Sequence, residues 1–545
     1  MSEHRILIVN LTRFGDLLQT SPAVAALRER HPATHLTLLA DKNFADVCES
    51  IPGIDRVYRV DLDHLGHLLV DGGERLCEAY RYVEEVIAEL RAARFDLALN
   101  FSSSRMTAVF MGLLGARETR GWSVSTDGMR VIRHPWACLF ATMCLNRQMA
   151  CFNLVDCYRA MAGGLGATRR LLYEVSPPAR EFADRSLEQG GLRTGERLVA
   201  LQLGASKAIR QWPKESFAAL GRLLVEAGHR VVLIGGGGDR PLAAEVAARL
   251  GERAIDLCGK TRIPELAAVL ARADALVTGD TGPMHMAAAV GTPIVGLFFG
   301  PALPFDTGPY GEDHVLLHAA VGCAPCNHNV SCLAPFCRTE ITPEMAAAAV
   351  IHRIGGDWGA LDAVARASGE VRIYRSRFDR HGYFACEPLG GRPLAREDHL
   401  RRAYRATFLS VLEGMDVPRP AASPIETGPF RALSAMARSG ADLAQQLALA
   451  ARPRVPSVER LKQLAAEIEA LDRTILEHGA THDDTGVLTQ MFRFGKENLE
   501  SEDVALLATQ IGSLYRELEI EADLMGAQLS GAREKERVDD ARLHQ

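Results

Sequence analysis

The sequence predicts an α/β protein with two tandem doubly wound domains that face a cleft, followed by a mainly α-helical C-terminal extension. Short apolar runs alternate with helical patterns over residues 6–101, and the same alternation returns over residues 198–298. After Gly355 helical periodicity dominates. Because strands that alternate with helices form parallel sheets covered on both faces, we expect domains over residues 1–176, 177–357 and 358–545.

The first domain opens on a buried strand. In chain order, the predicted elements are a strand over 6–10, a helix over 22–30, a strand over 36–40, a helix over 74–93 and a strand over 96–101. The segment 176–180 contains Pro177 and Pro178 and is a candidate link to the second domain.

The second domain repeats this alternation from Leu198 onward. Strands are predicted over 198–203, 230–234, 275–278 and 294–298, and helices over 214–226, 243–250, 264–272 and 283–289. Two such domains in tandem place a cleft between the carboxyl ends of their strands, where ligands usually bind.

The C-terminal region is predicted to be helical after a small β-hairpin over 371–387. Apolar residues recur there at three- or four-residue spacing: Val458, Leu461, Leu464, Ile468, Leu471 and Ile475, then Val504, Leu507, Ile511, Leu514 and Leu518. Such stripes are typical of packed helices. They leave open an intramolecular bundle or a surface for a protein partner or self-association.

The composition is that of a soluble globular protein. Of 545 residues, 47% are hydrophobic and 24% are charged, and 62 Lys and Arg against 68 Asp and Glu give a net charge of −6. That balance excludes nucleic-acid binding through bulk charge. Twelve cysteines are too few for a disulfide scaffold, and no secretion signal or membrane-spanning stretch is found. We therefore expect a cytoplasmic protein.

The first candidate motif is TRFGDLLQTSP, residues 12–22, directly after the first strand. Gly15 allows a tight turn, and Asp16 then lies near the carboxyl end of the strand, at the edge of the cleft. A carboxylate in this position can accept a proton from a hydroxyl nucleophile. The alternative is that Asp16 only caps a turn.

The second motif is TGDTGPMHMAAAVGTP, residues 278–293, between a strand and a helix. Backbone N–H groups at such a helix start, together with the helix dipole, bind anions. Thr281 adds a hydroxyl donor, and His285 a proton or hydrogen bond to a diphosphate. Asp280 is better suited to a sugar hydroxyl or to orienting the loop. The alternative is a structural Gly-rich turn.

Two further strand-to-helix turns carry weaker signals. IGGGGDRP, residues 234–241, matches neither the dinucleotide fingerprint nor a Walker A loop, and Asp239 there could hold a ribose diol. QLGASKAIRQWP, residues 202–213, offers Lys207 and Arg210 as cationic contacts for a leaving diphosphate. Solvated surface charge is the alternative for both cations.

At this point the chain resembles glycosyltransferase family 9, the ADP-heptose:lipopolysaccharide heptosyltransferases, over residues 5 to about 355. The resemblance rests on RFGD, on NFSSSRMTAVFMGLLGAR (100–117), on the basic residue before Trp-Pro, and on GDTGPMH with AAAVGTP following. It implies the GT-B fold with two Rossmann-like domains. It also implies transfer of heptose from ADP-heptose to a lipopolysaccharide inner-core acceptor, with inversion and without a metal or other cofactor.

The resemblance also implies roles for individual residues. Asp16 matches the family's catalytic base. The donor-binding set is Lys207, Arg210, Asp239, Asp280, Thr281, Gly282 and His285. Arg105 and Arg120 fall on the acceptor side, where an anionic glycolipid at the inner membrane surface would bind. The family often has Lys where this chain has Arg210. The Arg side chain keeps the positive charge, but it is bulkier and binds through the forked N–H groups of its guanidinium.

Four cysteines, Cys323, Cys326, Cys332 and Cys337, form C-x₂-C-x₅-C-x₄-C. Thiolates at this spacing can converge on zinc or an iron–sulfur cluster. Clustered reduced thiols are the preferred interpretation, with structural zinc as the alternative.

The segment 136–154 also has two interpretations. Its aromatic and apolar residues fit a buried helix or a contact with a membrane surface, which would make the protein peripheral on the inner face of the cytoplasmic membrane.

Two rival functions remain open at this stage. One is a related transferase that uses another nucleotide sugar, or a protein or surface polysaccharide as acceptor. The other is a degenerate transferase core that acts as a scaffold through its helical C-terminal module.

Overall fold

The apolar runs of the sequence become buried strands. The computed structural model describes residues 4–531 apart from 71–72, 328–329, 331, 419–422 and 454. The strands are β1 Arg5–Val9, β2 His35–Asp41, β3 Arg56–Val60, β4 Leu97–Asn100, β5 Glu118–Val124, β6 Arg130–Arg133, β7 Leu198–Gln202, β8 Arg230–Ile234, β9 Ala254–Asp256, β10 Ala275–Gly279, β11 Ile294–Phe298, β12 Val315–Ala319, β13 Val371–Phe378 and β14 Phe384–Pro388.

Helices follow most of these strands. They are α1 Phe14–Leu18, α2 Ser21–Arg30, α3 Leu62–Val70, α4 Leu76–Ala92, α5 Arg105–Leu114, α6 Pro135–Leu145, α7 Leu154–Met161, α8 Pro177–Gln189, α9 Lys214–Glu226, α10 Arg240–Leu250, α11 Ile263–Arg272, α12 Gly282–Val290, α13 Pro304–Thr307, α14 Cys337–Glu340, α15 Pro343–Gly355, α16 Trp358–Ala367, α17 Arg396–Glu413, α18 Gly428–Ala451, α19 Val458–Thr481, α20 Gly486–Glu497 and α21 Val504–Ser530. No helix among the described residues is long and apolar enough to cross a membrane.

The described residues divide into two compact units. The first draws on Met1–Ser102, Leu113–Thr119 and Phe152–Arg392, and the second on Ser103–Gly112, Arg120–Cys151 and Pro393–Gln545. The first unit therefore contains both parallel sheets. The three-domain division expected from the sequence stays a prediction.

Both sheets of the first unit reverse their strand order beside a central strand. Strands β1 to β4 are parallel in the order β3-β2-β1-β4, and the second sheet runs β14-β13-β12-β11-β10-β7-β8-β9. The switch points lie between β1 and β4 and between β7 and β10. Ligands bind outside the carboxyl ends of strands at such points. The loops after β1, β7 and β10 carry three of the four predicted motifs.

The predicted hairpin over 371–387 forms, and it extends the second sheet. Strand β13 pairs antiparallel with β12, and β14 pairs antiparallel with β13. Residues up to 388 therefore complete the second sheet, although the sequence analysis placed this segment in the helical extension.

The segment 176–180, expected as a link, is instead the start of a helix. Helix α8 begins at Pro177 and buries Ala179, Ala183 and Leu187. Proline is tolerated in a first helical turn because the N–H it lacks has no partner there. The Pro-Pro pair thus marks a helix start.

A buried polar network ties α7 to Tyr310, between α13 and β12, and to Phe384, the first residue of β14. The Tyr310 hydroxyl donates to Asp156 Oδ1 at 2.6 Å, the Phe384 N–H donates to Asp156 Oδ2 at 2.9 Å, and Arg159 donates to the Tyr310 oxygen. The side chains of Asp156 and Arg159 are fully buried. The two charges offset each other in the core, where an isolated charge would be costly.

The second unit is mainly helical. It holds the antiparallel strands β5 and β6, helix α6 and helices α17 to α21. Trp136 and Met143 are buried on α6, as expected if segment 136–154 is a buried helix. Helix α18 packs along α21, and α19 packs on α18 and α20. The packed-helix prediction is therefore confirmed within one chain.

The two predicted apolar stripes, on α19 and α21, are buried to different degrees. On α19 the stripe is the packing face, because Leu464, Ile468 and Ile475 are buried. On α21 the predicted stripe is partly buried: Leu518 is buried, Leu507, Ile511 and Leu514 are half-buried, and Val504 is exposed. The buried face contains Ala508, Gly512, Tyr515, Leu518, Glu521, Ala522, Met525, Gln528 and Leu529. The small residues on this face let α18 approach closely. A search for large apolar residues does not detect a helix face of this kind.

Candidate active site

Asp16 lies in the short helix α1, just after β1. The Asn10 side-chain amide donates to the Asp16 carbonyl at 3.3 Å, and Gln19 Nε2 donates to Asp16 Oδ1 at 3.4 Å. Asn10 is fully buried at the end of the strand. Gly15 lies inside α1 and not in the tight turn expected from the sequence, and the helix places the Asp16 carboxyl group at the carboxyl end of the first sheet.

The loop after β10 forms a helix start. Thr281 is the N-cap residue of α12, Pro283 follows in its first turn, and the Thr281 and Thr278 hydroxyls are 3.0 Å apart. The Met284 N–H donates to the Thr281 carbonyl at 3.0 Å, and Pro283 has no N–H. The Gly282 N–H and the helix dipole beside Asp280 are the features that favour an anion there, and anion binding stays a prediction.

Two glycines allow the loops of the two motifs to touch. A Cβ at Gly15 would lie 2.9 Å from Gly282 Cα and 3.1 Å from His285 Cδ2. A Cβ at Gly282 would lie 2.2 Å from Phe14 Cζ. Helices α1 and α12 consequently pack backbone to backbone, which brings Asp16 to the Asp280 loop.

Asp280 is the centre of a cluster of polar side chains. Arg210 Nη2 is 3.9 Å from Asp280 Oδ2, and His285 Nε2 is 4.0 Å from Asp280 Oδ1. The Thr307 hydroxyl donates to Asp280 Oδ2 at 3.4 Å. Asp280 is thus close to Arg210, His285 and Thr307, and its role in orienting the loop or meeting a sugar hydroxyl stays a prediction.

Burial changes the protonation of two groups. It raises the pKa of Asp16 to about 6, and the negative charge of Asp280 adds to the rise. Burial lowers the pKa of His285 to about 4. His285 is therefore neutral at pH 7, so it can offer a hydrogen bond to a diphosphate but no positive charge.

Lys207 and Asp239, two of the predicted donor-binding residues, lie in the loops after β7 and β8. Lys207 is exposed and precedes the 3₁₀ turn Ala208–Arg210. Asp239 Oδ2 accepts the Gly236 N–H at 2.8 Å, and the carboxylate lies against Gly204, where a Cβ would be 2.1 Å away. Asp239 thus closes its own turn, and a ribose contact stays a prediction.

Arg105 and Arg120, the predicted acceptor residues, belong to the second unit. Arg105 is the exposed first residue of α5, and Arg120 is half-buried in β5. Their role in acceptor binding stays a prediction.

The four clustered cysteines differ in exposure. Cys323 and Cys332 are exposed, Cys326 is half-buried and Cys337 is buried at the start of α14. Burial raises the pKa of Cys326, and the neighbouring thiols add to the rise. Within the described ranges, no group of three or more His, Cys, Asp or Glu side chains is placed to hold a metal ion. The choice between zinc and reduced thiols stays a prediction.

Sequence reasoning missed Phe14 and Thr307. Phe14 stands inside the RFGD motif, so its adjacency to Gly15 was an available signal. Thr307 reaches Asp280 from α13, 27 residues away, and no local pattern indicates that contact.

The comparison with solved structures identifies the fold. A glycosyltransferase family 9 protein from Veillonella parvula DSM 2008 aligns over 65% of this chain and 98% of its own, with a TM-score of 0.53 and 24% identity. With its two doubly wound sheets, the chain has the GT-B fold.

Sequence comparison then finds relatives in glycosyltransferase family 9. Residues 83–336 match the family model "Glycosyltransferase family 9 (heptosyltransferase)". Lipopolysaccharide heptosyltransferase 3 of Escherichia coli is 25% identical over 52% of this chain and 80% of its own length. Lipopolysaccharide heptosyltransferase 2 of E. coli K12 is 25% identical over 58% of this chain and 89% of its own length. The resemblance to family 9 that the sequence predicted is confirmed over residues 83–336, and the chain is a glycosyltransferase.

Proposed function

We propose that the chain transfers heptose from ADP-heptose to a lipopolysaccharide inner-core acceptor, with inversion at the anomeric carbon and without a metal ion. The observation that carries the proposal is the partly buried Asp16 carboxyl, which lies beside Asp280 and near the start of α12. The relatives compared above, which are named as heptosyltransferases, support the choice of sugar and acceptor.

In the proposed reaction, Asp16 accepts the proton of the acceptor hydroxyl. The hydroxyl oxygen attacks the anomeric carbon from the face opposite the diphosphate, and the bond from that carbon to the diphosphate oxygen breaks. A base with a pKa of about 6 is ionised at pH 7 and still basic enough to accept a proton. One displacement of this kind inverts the configuration.

The departing ADP carries negative charge that must be stabilised. The Gly282 N–H, the dipole of α12 and the Arg210 guanidinium supply that stabilisation in the proposal. Neutral His285 adds a hydrogen bond. Asp280 keeps Arg210 oriented, and no metal ion is needed for this arrangement of charges.

Calorimetric titration with ADP, UDP and GDP tests the donor, and a transfer assay with ADP-heptose tests the reaction. We expect selective ADP binding, weakened at least tenfold in His285→Ala. We expect Asp16→Asn to bind ADP normally but to lose transfer. Selective UDP or GDP binding would replace the donor, and normal turnover of Asp16→Asn would refute the role of the base.

A negative result would favour the rival functions. Transfer from ADP-heptose to a protein or a surface polysaccharide, but not to the lipopolysaccharide core, would replace the acceptor. Binding of no nucleotide, together with no transfer, would favour a scaffold that acts through the helical unit.

A further inference from the structure

The helical unit contains a cavity that the transferase reaction does not use. Its volume is about 240 Å³, and β6, α6, α20 and α21 contribute to its walls. Apolar side chains form much of the lining: Ile132, Met491, Phe492, Leu514 and Leu518. At about 30 Å³ per water, the space equals about eight water molecules. A ligand of similar size with an apolar body would fit.

Two carboxyl groups line this apolar cavity. Glu521 is only 6% exposed, and among the described residues it has no hydrogen-bond or ion-pair partner. Glu517 lies one helical turn earlier on α21, lines the same cavity and is exposed to solvent. Buried carboxyl groups are normally paired or hydrogen-bonded. Glu521 is therefore a buried polar group for which the described part of the fold supplies no partner.

The described cavity lining contains no Lys or Arg side chain. Its other ionisable members are His134 and Cys138, and the Cys138 thiol donates to the Ile132 carbonyl at 3.3 Å. No residue that lines the cavity thus supplies a fixed positive charge to Glu521.

Two cations on the surrounding helices pair with acids outside the cavity, and a third acts on Glu517 and not on Glu521. On α20, Lys496 pairs with Asp472 at 2.7 Å. On α18, Arg438 pairs with Glu519 at 2.7 Å. Arg516 on α21 acts electrostatically on Glu517, and the Tyr404 hydroxyl on α17, near Glu521, donates to the Asp484 carbonyl. The set of neighbours leaves the charge of Glu521 uncompensated.

We propose that this cavity binds a small organic cation, an ammonium group on a short apolar body, with the ammonium placed at Glu517 and Glu521. The apolar body is buried against Phe492, Leu514 and Leu518, and the ammonium supplies the counter-charge that Glu521 lacks. An anion of the same shape is repelled by the two carboxyl groups, and a neutral alcohol gains no ion pair.

Binding is coupled to the release of a proton. Burial, with the charge of Glu517 as a smaller cause, raises the pKa of Glu521 to about 8. The carboxyl is consequently mostly protonated at pH 7 in the free protein. A bound ammonium favours the ionised form, so binding at pH 7 releases close to one proton.

Calorimetry on the full chain at pH 7 tests the proposal with n-hexylammonium as the probe. Titrations in two buffers of different ionisation enthalpy measure proton release, and 1-hexanol and hexanoate are the comparison ligands. We expect hexylammonium to bind at least tenfold more tightly than either comparison ligand. Glu521→Gln should weaken binding at least tenfold and abolish proton release, and Glu517→Gln should weaken it less.

Asp523→Asn is the matched control, because Asp523 is an exposed acid on the same helix and does not line the cavity. It should leave binding unchanged. Equal binding of hexanol and hexylammonium, an unchanged affinity in both Glu variants, or no binding of hexylammonium would each overturn the proposal. Thermal unfolding of each variant checks that it folds.

Discussion

Gly282 meets the ring of Phe14 so closely that a Cβ at position 282 would lie 2.2 Å from Phe14 Cζ. Phe14 belongs to the motif after β1, and Gly282 to the motif after β10. The contact therefore joins the proposed base to the proposed diphosphate site. The distance between the two reacting groups depends on the absence of a side chain at position 282.

Gly282→Ala should separate these two loops. Overpacking costs typically about 1–3 kcal/mol, and the displaced base should reduce the transfer rate at least tenfold. Thermal unfolding and a transfer assay measure the two effects. Adding Phe14→Leu should restore part of the activity. Gly66→Ala, inside α3 where no atom lies within 4 Å of the new Cβ, should leave the transfer rate unchanged and should not destabilise the fold. Full activity of Gly282→Ala would show that the contact is not needed.

The transfer rate should depend on the ionisation of Asp16. Because the pKa of this carboxyl is raised to about 6, kcat/KM should rise with pH between about 5 and 7 and then level off. Asp280→Asn removes a charge that contributes to the rise, so the midpoint should move to lower pH. A profile that is flat from pH 5 to 7 would contradict the role of Asp16 as the base.

Asp16→Asn should stabilise the fold at pH 7.5 although it abolishes transfer. The folded-state pKa is raised from 3.8 to about 6, so ionisation of Asp16 destabilises the folded state progressively as pH rises from about 4 to 6. Removing the charge should recover about 1–3 kcal/mol at pH 7.5 and almost nothing at pH 4. Denaturant unfolding at the two pH values measures the difference, and equal effects at both would contradict it.

Arg210 and Lys207 should differ in their importance for the donor. Arg210 is half-buried and close to Asp280, whereas Lys207 is exposed. Arg210→Ala should weaken ADP binding about 10- to 100-fold, as expected for a lost hydrogen bond to a charged group. Lys207→Ala should weaken it less than threefold. Calorimetric titration compares the two, and the reverse order would assign the diphosphate contact to Lys207.

Asp156→Ala should destabilise the first unit strongly. The substitution leaves Arg159 buried without its counter-charge and removes the acceptor of the Tyr310 hydroxyl and the Phe384 N–H. Breaking such a buried pair costs about 3–5 kcal/mol. Asp184→Ala removes an exposed pair with Arg272 and should cost at most about 1 kcal/mol. Denaturant unfolding measures both, and similar costs would indicate that the network contributes little.

Local sequence patterns predicted the parallel sheets well. The strands over 230–234 and 294–298 and the helix over 214–226 have the predicted bounds. Each is a continuous apolar run or an amphipathic segment between clear turn residues. The motif loops also lie where a strand ends, because the motif residues follow those runs directly.

Other features depend on contacts that are distant in sequence. The approach of Gly15 to Gly282 joins segments more than 260 residues apart, and the raised pKa of Asp16 follows from that packing. The buried face of α21 mixes small and polar residues with large apolar ones, so its apolar signal is diluted. The start of α8 at Pro177 was wrongly expected to be a link, because Pro-Pro occurs both in links and in first helical turns.

The β13–β14 hairpin determines where the chain can be shortened. Strand β13 occupies the outer side of β12, and Phe384 donates to Asp156. A truncated form ending at residue 357 would keep every residue of the proposed transfer site but leave the backbone of β12 unpaired along one side. Exposed strand edges of this kind recruit other chains and promote aggregation. The shortest form that stays monodisperse should therefore extend past Pro388, well beyond the last residue of the family match.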